Sequence, residues 1–150
     1  MENSTKTIVV GVDGSPASAA ALRWALEEAV REGAEVEAIT TRERESAFVP
    51  ASSTGFFPHG EKPQRHLVRD LHEMVREVSS RLENAPEVTE VVLVGDPAVE
   101  LARMSHHADL LVLGAHGHGK AAGVLLGSVV SECLRHAVCP VVVIPPGAVR

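Results

Sequence analysis

Apolar residues alternate along the chain between two rhythms: short, nearly unbroken runs, and longer stretches in which they recur every three or four positions. The runs at 8–12 and 109–113 are dominated by Val, Ile and Leu, which favours buried strands, and 141–144 is a last, all-apolar β-branched strand. Residues 35–41 form a shorter, more polar strand whose apolar members are Val36, Ala38 and Ile39, and 88–94 form another. Helical spacing holds for Leu22, Ala25, Leu26, Ala29 and Val30 within 16–32, and for Leu67, Leu71, Met74, Val75, Val78 and Leu82 within 67–83. A short helix over 97–107 carries Val99, Leu101, Ala102 and Met104, and a last helix is predicted over 128–137. Capping residues sharpen these limits. Ser15 is a good N-cap before Pro16, Gly33 a helix stop, and Asp96-Pro97 repeats the Ser15-Pro16 arrangement. Strands alternating with helices throughout predict an α/β fold, a Rossmann-like or flavodoxin-like doubly wound parallel sheet of five strands with right-handed crossovers.

One stretch breaks both rhythms. Residues 46–66 carry Pro50, Gly55, Pro58, Gly60 and Pro63 and predict an irregular insert within one domain spanning 1–150. All three phenylalanines, Phe48, Phe56 and Phe57, fall inside it, so its rings are expected to dock on a ligand crevice or a partner subunit, with a mobile loop as the alternative.

The candidate chemistry gathers after the fourth strand, in GAHGHGKAAGVLLGS from Gly114 to Ser128. A strand that runs through glycines into a helix start is suited to phosphate. Glycine lets backbone N–H groups crowd onto one anion, and the first helical turn adds unpaired N–H groups and partial positive charge. Read from Gly114, the letters nearly make a Walker A loop with Lys120 in the lysine slot, but Ala121 stands where a Mg²⁺-binding hydroxyl is needed, and the helix starts only at Ser128. The spacing Gly114-x2-Gly117-x9-Gly127-Ser128 fits better, with Ser128 expected as both N-cap and phosphate-reaching hydroxyl. Asp13, at the carboxyl end of the first strand, lies where ligands bind in open parallel sheets, and equally suits a turn. His116 and His118 invite a metal, yet no cysteine or carboxylate lies near them in sequence, so a phosphate-side or solvent position is expected and no metal site.

Composition narrows the partners. A net charge of −6 argues against nucleic acid, which is bound by neutralising phosphates with Lys and Arg. No stretch approaches the length of a membrane span and the polar residues 1–7 do not read as a signal peptide, so a cytoplasmic location without membrane contact is expected. Cys133 and Cys139 lack a CxxC spacing and are expected as buried thiols rather than a disulfide.

Four segments in order, IVVGVDGSPAS, VGDPAVEL, the Gly-x2-Gly-x9-Gly-Ser stretch and CPVVVIPP, resemble a universal stress protein of the nucleotide-binding type, over nearly the whole chain except about 45–66. The resemblance implies strand order 3-2-1-4-5. It implies ATP as ligand, with AMP, ADP and an accompanying Mg²⁺ left open. Val12, Asp13 and Thr41 would hold the nucleoside, Thr41 through its backbone. Gly114, Gly117, Gly127, Ser128 and Val129 would hold the phosphates with His116 and His118 nearby, although the family often has arginine or another polar residue near His118. The resemblance also implies a homodimer through Val141, Val142, Val143 and Ile144, which would cover an apolar edge strand. The expected role is a nucleotide-dependent stress-response or signalling module. Two alternatives stand beside it: a slow ATP hydrolase or nucleotidyl transferase using the loop histidines, and a ligand-free dimeric interaction protein of the same fold.

Overall fold

The computed structural model describes residues 4–43, 62–117, 126–145 and 148, without the side chains of 62–64. Among these residues nine elements alternate: β1 (Thr7–Gly11), α1 (Pro16–Glu32), β2 (Glu35–Arg42), α2 (Lys62–Ser80), β3 (Val88–Val94), α3 (Pro97–Met104), β4 (Leu110–Gly114), α4 (Ser128–His136) and β5 (Val141–Ile144). The strands form one parallel sheet in the order β3-β2-β1-β4-β5, as expected. Each strand pair is parallel, which obliges every connection to cross over a face of the sheet.

The alternation of side chains along each strand divides the core in two. Val10, Val36, Ala38 and Val112 face α1 and α2, whose Leu22, Leu26, Leu71 and Val75 pack on them. Val9, Ile39, Leu111 and Leu113 face the other way, onto Leu101 of α3 and Val130 and Cys133 of α4. Both faces of β1 and β4 are therefore dry, and their nearly continuous apolar sequence follows from that.

The caps of the first and third helices agree with the sequence. The Ser15 hydroxyl accepts from the Ser18 N–H, Asp96 accepts from the Val99 N–H at 3.1 Å, and Gly33 closes α1 at φ 65°. Other limits differ. The first five described residues of α2, 62–66, fall in the stretch expected to be irregular; they carry no apolar period, Arg65 and His66 are exposed, and Pro63 at the helix start costs no hydrogen bond. At its other end α2 stops at Ser80 rather than 83. The N–H groups of Arg81 and Leu82 turn back to Val78 and Ser79, and Asn84 takes a left-handed φ of 58°. Similar tight turns place His106 and His107 after α3, with the His107 Nε2 3.1 Å from Glu37. Residues 46–61 of the expected insert lie outside the described residues.

Cys133 and Cys139 are free thiols, the first buried and the second half-buried. Cys133 is fully enclosed where α4 meets α3, its Sγ 3.9 Å from the Ala98 carbonyl oxygen. Burial, assisted by the charges of Asp96 and Glu132, pushes its pKa up from 9.0 to about 11. The folded chain thus holds this proton more tightly than the unfolded one, so the associated stability is complete below the unfolded pKa and is lost as pH rises through the folded one. We expect a loss on the order of 2 kcal/mol between about pH 9 and 11. Urea midpoints measured across that window should fall less steeply for Cys133→Ala than for the unmodified chain.

Candidate functional site

β1 is the first strand to end on this side of the sheet, and its neighbours run past it. The Val12 N–H donates to the Ile39 carbonyl at 2.8 Å, the last bond between β1 and β2. The Arg42 carbonyl accepts from the Gly95 N–H at 2.7 Å, so even positions at this end of β2 turn their backbone groups to β3 and odd positions turn theirs to β1. Thr41 therefore points its N–H and C=O beyond the end of β1, where no described residue bonds them.

The space they face is a crevice of about 620 Å³, well within the range of small-molecule sites. Val12, Asp13, Thr41, Gly114, His116, Gly117, Gly127, Ser128 and Val129 all line it. His118 and Lys120 lie outside the described residues. Gly11, Ser18, Ile39, Thr40, Glu43, Pro97, Leu101, Leu113 and Val130 complete the lining; none was singled out for the site from the sequence. Pro97 and Leu101 belong to the VGDPAVEL segment, whose turn signal located a helix start but gave no sign that it opens on the same space as β1.

Asp13 is held by its own turn. Its Oδ1 accepts from the Ser15 N–H at 2.9 Å, and its N–H donates to the Ser18 Oγ at 3.3 Å, while that hydroxyl donates to the Ser15 carbonyl at 2.9 Å. Its Oδ2 lies against Gly117, where any Cβ would collide with it. Two motifs about a hundred residues apart in sequence thus meet across one gap, the turn role and the crevice position of Asp13 being compatible. Gly114 has another reason to be glycine: its Cβ would lie 2.8 Å from the backbone C and O of Ala17, in the first turn of α1.

The start of α4 differs from the expectation. Gly127, not Ser128, is the N-cap, and no side chain caps the helix; Ser128 is the first helical residue and its side chain is exposed to the crevice. A residue with helical backbone angles cannot also take the extended conformation of a cap, which Gly127 adopts at φ −67° and ψ 162°. The amides of Ser128, Val129 and Val130 have no hydrogen bond among the described residues, the first one inside the helix being Ser131 N–H to Gly127 O at 3.0 Å. α1 and α3 have side-chain caps. The uncapped amides and the dipole's positive end therefore open on the crevice.

Gly127 needs neither a left-handed φ nor a close approach: its Cβ would meet Ala115 O at an ordinary 3.4 Å, and nothing nearer among the described residues. Among the described residues the charged side chains of the lining are the carboxylates of Asp13 and Glu43, with no Lys or Arg. No three His, Cys, Asp or Glu side chains converge as a metal site would require, again among the described residues. No described helix is long and apolar enough to cross a membrane.

The two glycines separate in a stability measurement. Gly114→Ala must push α1 away from β4 and should lower the melting temperature by about 5 °C, whereas Gly127→Ala should leave it within about 2 °C; calorimetric scans of both variants check this.

A model of the universal stress protein family matches residues 4–145. Universal stress protein Rv2623 of Mycobacterium tuberculosis is 37% identical over 145 residues, covering 95% of this chain and 48% of that protein. The chain spans about half the length of the curated relatives it matches. Among solved structures, universal stress protein UspA from Lactobacillus plantarum superposes with a TM-score of 0.77 at 27% identity, covering 95% of this chain and 99% of that one. A universal stress protein in complex with cAMP superposes with a TM-score of 0.62 at 28% identity, covering 93% of this chain and 95% of that one. With the fold, the strand order and the matched residues in agreement, the chain belongs to the universal stress protein family.

Proposed function

We propose that this chain binds an adenine nucleotide in the crevice between the ends of β1, β2 and β4 and the start of α4, with ATP the first candidate and AMP or ADP next. The observation that carries this is the start of α4, which no side chain caps and whose first amides, with no hydrogen bond among the described residues, face a glycine-lined space of nucleotide size. Such amides bind a phosphate without any side-chain cation. The second support is Thr41, whose N–H and C=O, bonded by no described residue, form a donor–acceptor pair matching N1 and the 6-amino group of adenine. Val12 and Asp13 would complete the nucleoside end, and Gly114, Gly117, Gly127, Ser128 and Val129 the phosphate end, with His116 beside it. Mg²⁺ would accompany a triphosphate, offsetting the negative charge of a crevice that already holds Asp13. A neighbour of the same fold, solved with cAMP, supports an adenine nucleotide as the ligand class.

The bound nucleotide would alter dimer contacts or partner choice in a cytoplasmic stress response. β5 is an edge of the sheet, bonded to β4 on one side, with Val141, Val142 and Val143 half-buried and Ile144 buried. A second copy of β5 would cover this apolar edge.

Gly127→Leu fills the crevice without disturbing the fold. Titration calorimetry with ATP, ADP, AMP and cAMP should show affinity weakened by at least about tenfold at an unchanged melting temperature; binding of unmodified strength would overturn the phosphate assignment. For the dimer, Val142→Lys should sediment as a monomer at concentrations where the unmodified chain sediments as a dimer, with both giving cooperative unfolding.

A further inference from the structure

We propose that Glu43 selects a 6-amino purine over a 6-oxo purine, a role that rests on the nucleotide reading above. Glu43 follows the end of β2, two positions after Thr41, and its exposed side chain lines the crevice with no hydrogen bond or ion pair among the described residues. A bare carboxylate in a site for a polyanion is unfavourable unless it meets a part of the ligand that bears donors. The sheet indicates which part. β1 separates β2 from β4, so Glu43 lies across the crevice from the glycine segment and the α4 amides, far from where phosphates would sit. The base is the part of the nucleotide that remains for β2.

The direction of the strand orients that base. Along Thr41 the N–H precedes the C=O, so a purine docked by its Watson–Crick edge sets N1 on the N–H and the 6-amino group on the C=O. The second 6-amino hydrogen and the N7 side then point onward along β2, toward residue 43. A carboxylate at that place accepts the second hydrogen. A 6-oxo purine instead presents a carbonyl oxygen to the Thr41 carbonyl and to the Glu43 carboxylate, and its N1–H to the Thr41 N–H. It is opposed by both residues, and unpaired polar groups of this kind are what make hydrogen-bonding sites discriminate strongly.

The experiment is titration calorimetry of the full chain with two probe pairs, ATP against ITP and cAMP against cyclic IMP, repeated on Glu43→Gln and Glu43→Ala. Both substitutions fall at an exposed position after the strand, and melting temperatures should stay at the unmodified value. The unmodified chain should favour the 6-amino member of each pair by at least about a hundredfold, and both variants should reduce that preference by about tenfold. In Glu43→Gln the change should come mainly from tighter ITP binding, because the amide can donate to the 6-oxygen. Removing one negative charge from the site strengthens both members of a pair alike, since they carry the same phosphate charge, and cancels in their ratio. An unchanged ratio in both variants, with ATP still bound, overturns the role of Glu43 and leaves the nucleotide reading standing. Failure of the unmodified chain to bind any of the four probes overturns both.

Discussion

The early end of β1 is the constraint on which the rest of the molecule's ligand-facing side depends. A strand inside a parallel sheet normally satisfies the backbone of both neighbours. Here β1 makes its last bond to β2 from Val12, and Thr41 extends beyond it, its backbone bonded by no described residue. Chain order reverses direction at the same strand: the connection through α1 leads to β2 on one side, while β4 arrives on the other from α3 across the opposite face. The connections leaving β1 and β4 therefore diverge, and the gap between them is the crevice.

Glycines around that gap are held by unrelated forces. Gly14, at φ 86°, makes the turn that aims Asp13. Gly114 lets α1 rest on β4, and Gly117 leaves the volume that the Asp13 carboxylate fills. Gly127 answers to neither constraint among the described residues, so its lack of a side chain leaves the crevice open without serving the packing of the fold. Dense packing behind the crevice supplies the rigidity. Leu101, Leu113, Val130 and Cys133 belong to one buried cluster, so α4 presents its unbonded amides from a fixed platform.

Charge and backbone are distributed differently at the two ends of the crevice. The β2 end offers directed donors and acceptors on Thr41, with the Glu43 carboxylate beside it and Asp13 nearby, while the α4 end offers amides and a helix dipole. That separation suits a molecule that is neutral and hydrogen-bonding at one end and anionic at the other.

Local chemistry made most of the fold legible in the sequence. Pro16, Gly33, Asp96 and Pro97 set helix limits through backbone angles and caps that depend on adjacent residues alone, and the continuous apolar runs of β1 and β4 declared their burial. Where the signal was weak the limits moved: the polar first turn of α2 had no apolar period to show, and the cap of α4 passed from Ser128 to Gly127 because backbone angles, not side-chain chemistry, decide which residue is the cap. By itself, the sequence determined the alternation of elements, the glycine spacing after β4 and the family, since each is a property of neighbouring residues or of motifs in order. Only the tertiary structure decided that Pro97, Leu101 and Glu43 share a space with Asp13 and Gly127, that no described residue pairs the Thr41 backbone, and that Gly117 is shaped by Asp13. Those facts depend on which strands end together in the sheet, and proximity across a sheet leaves no mark on the residues beside each one in the chain.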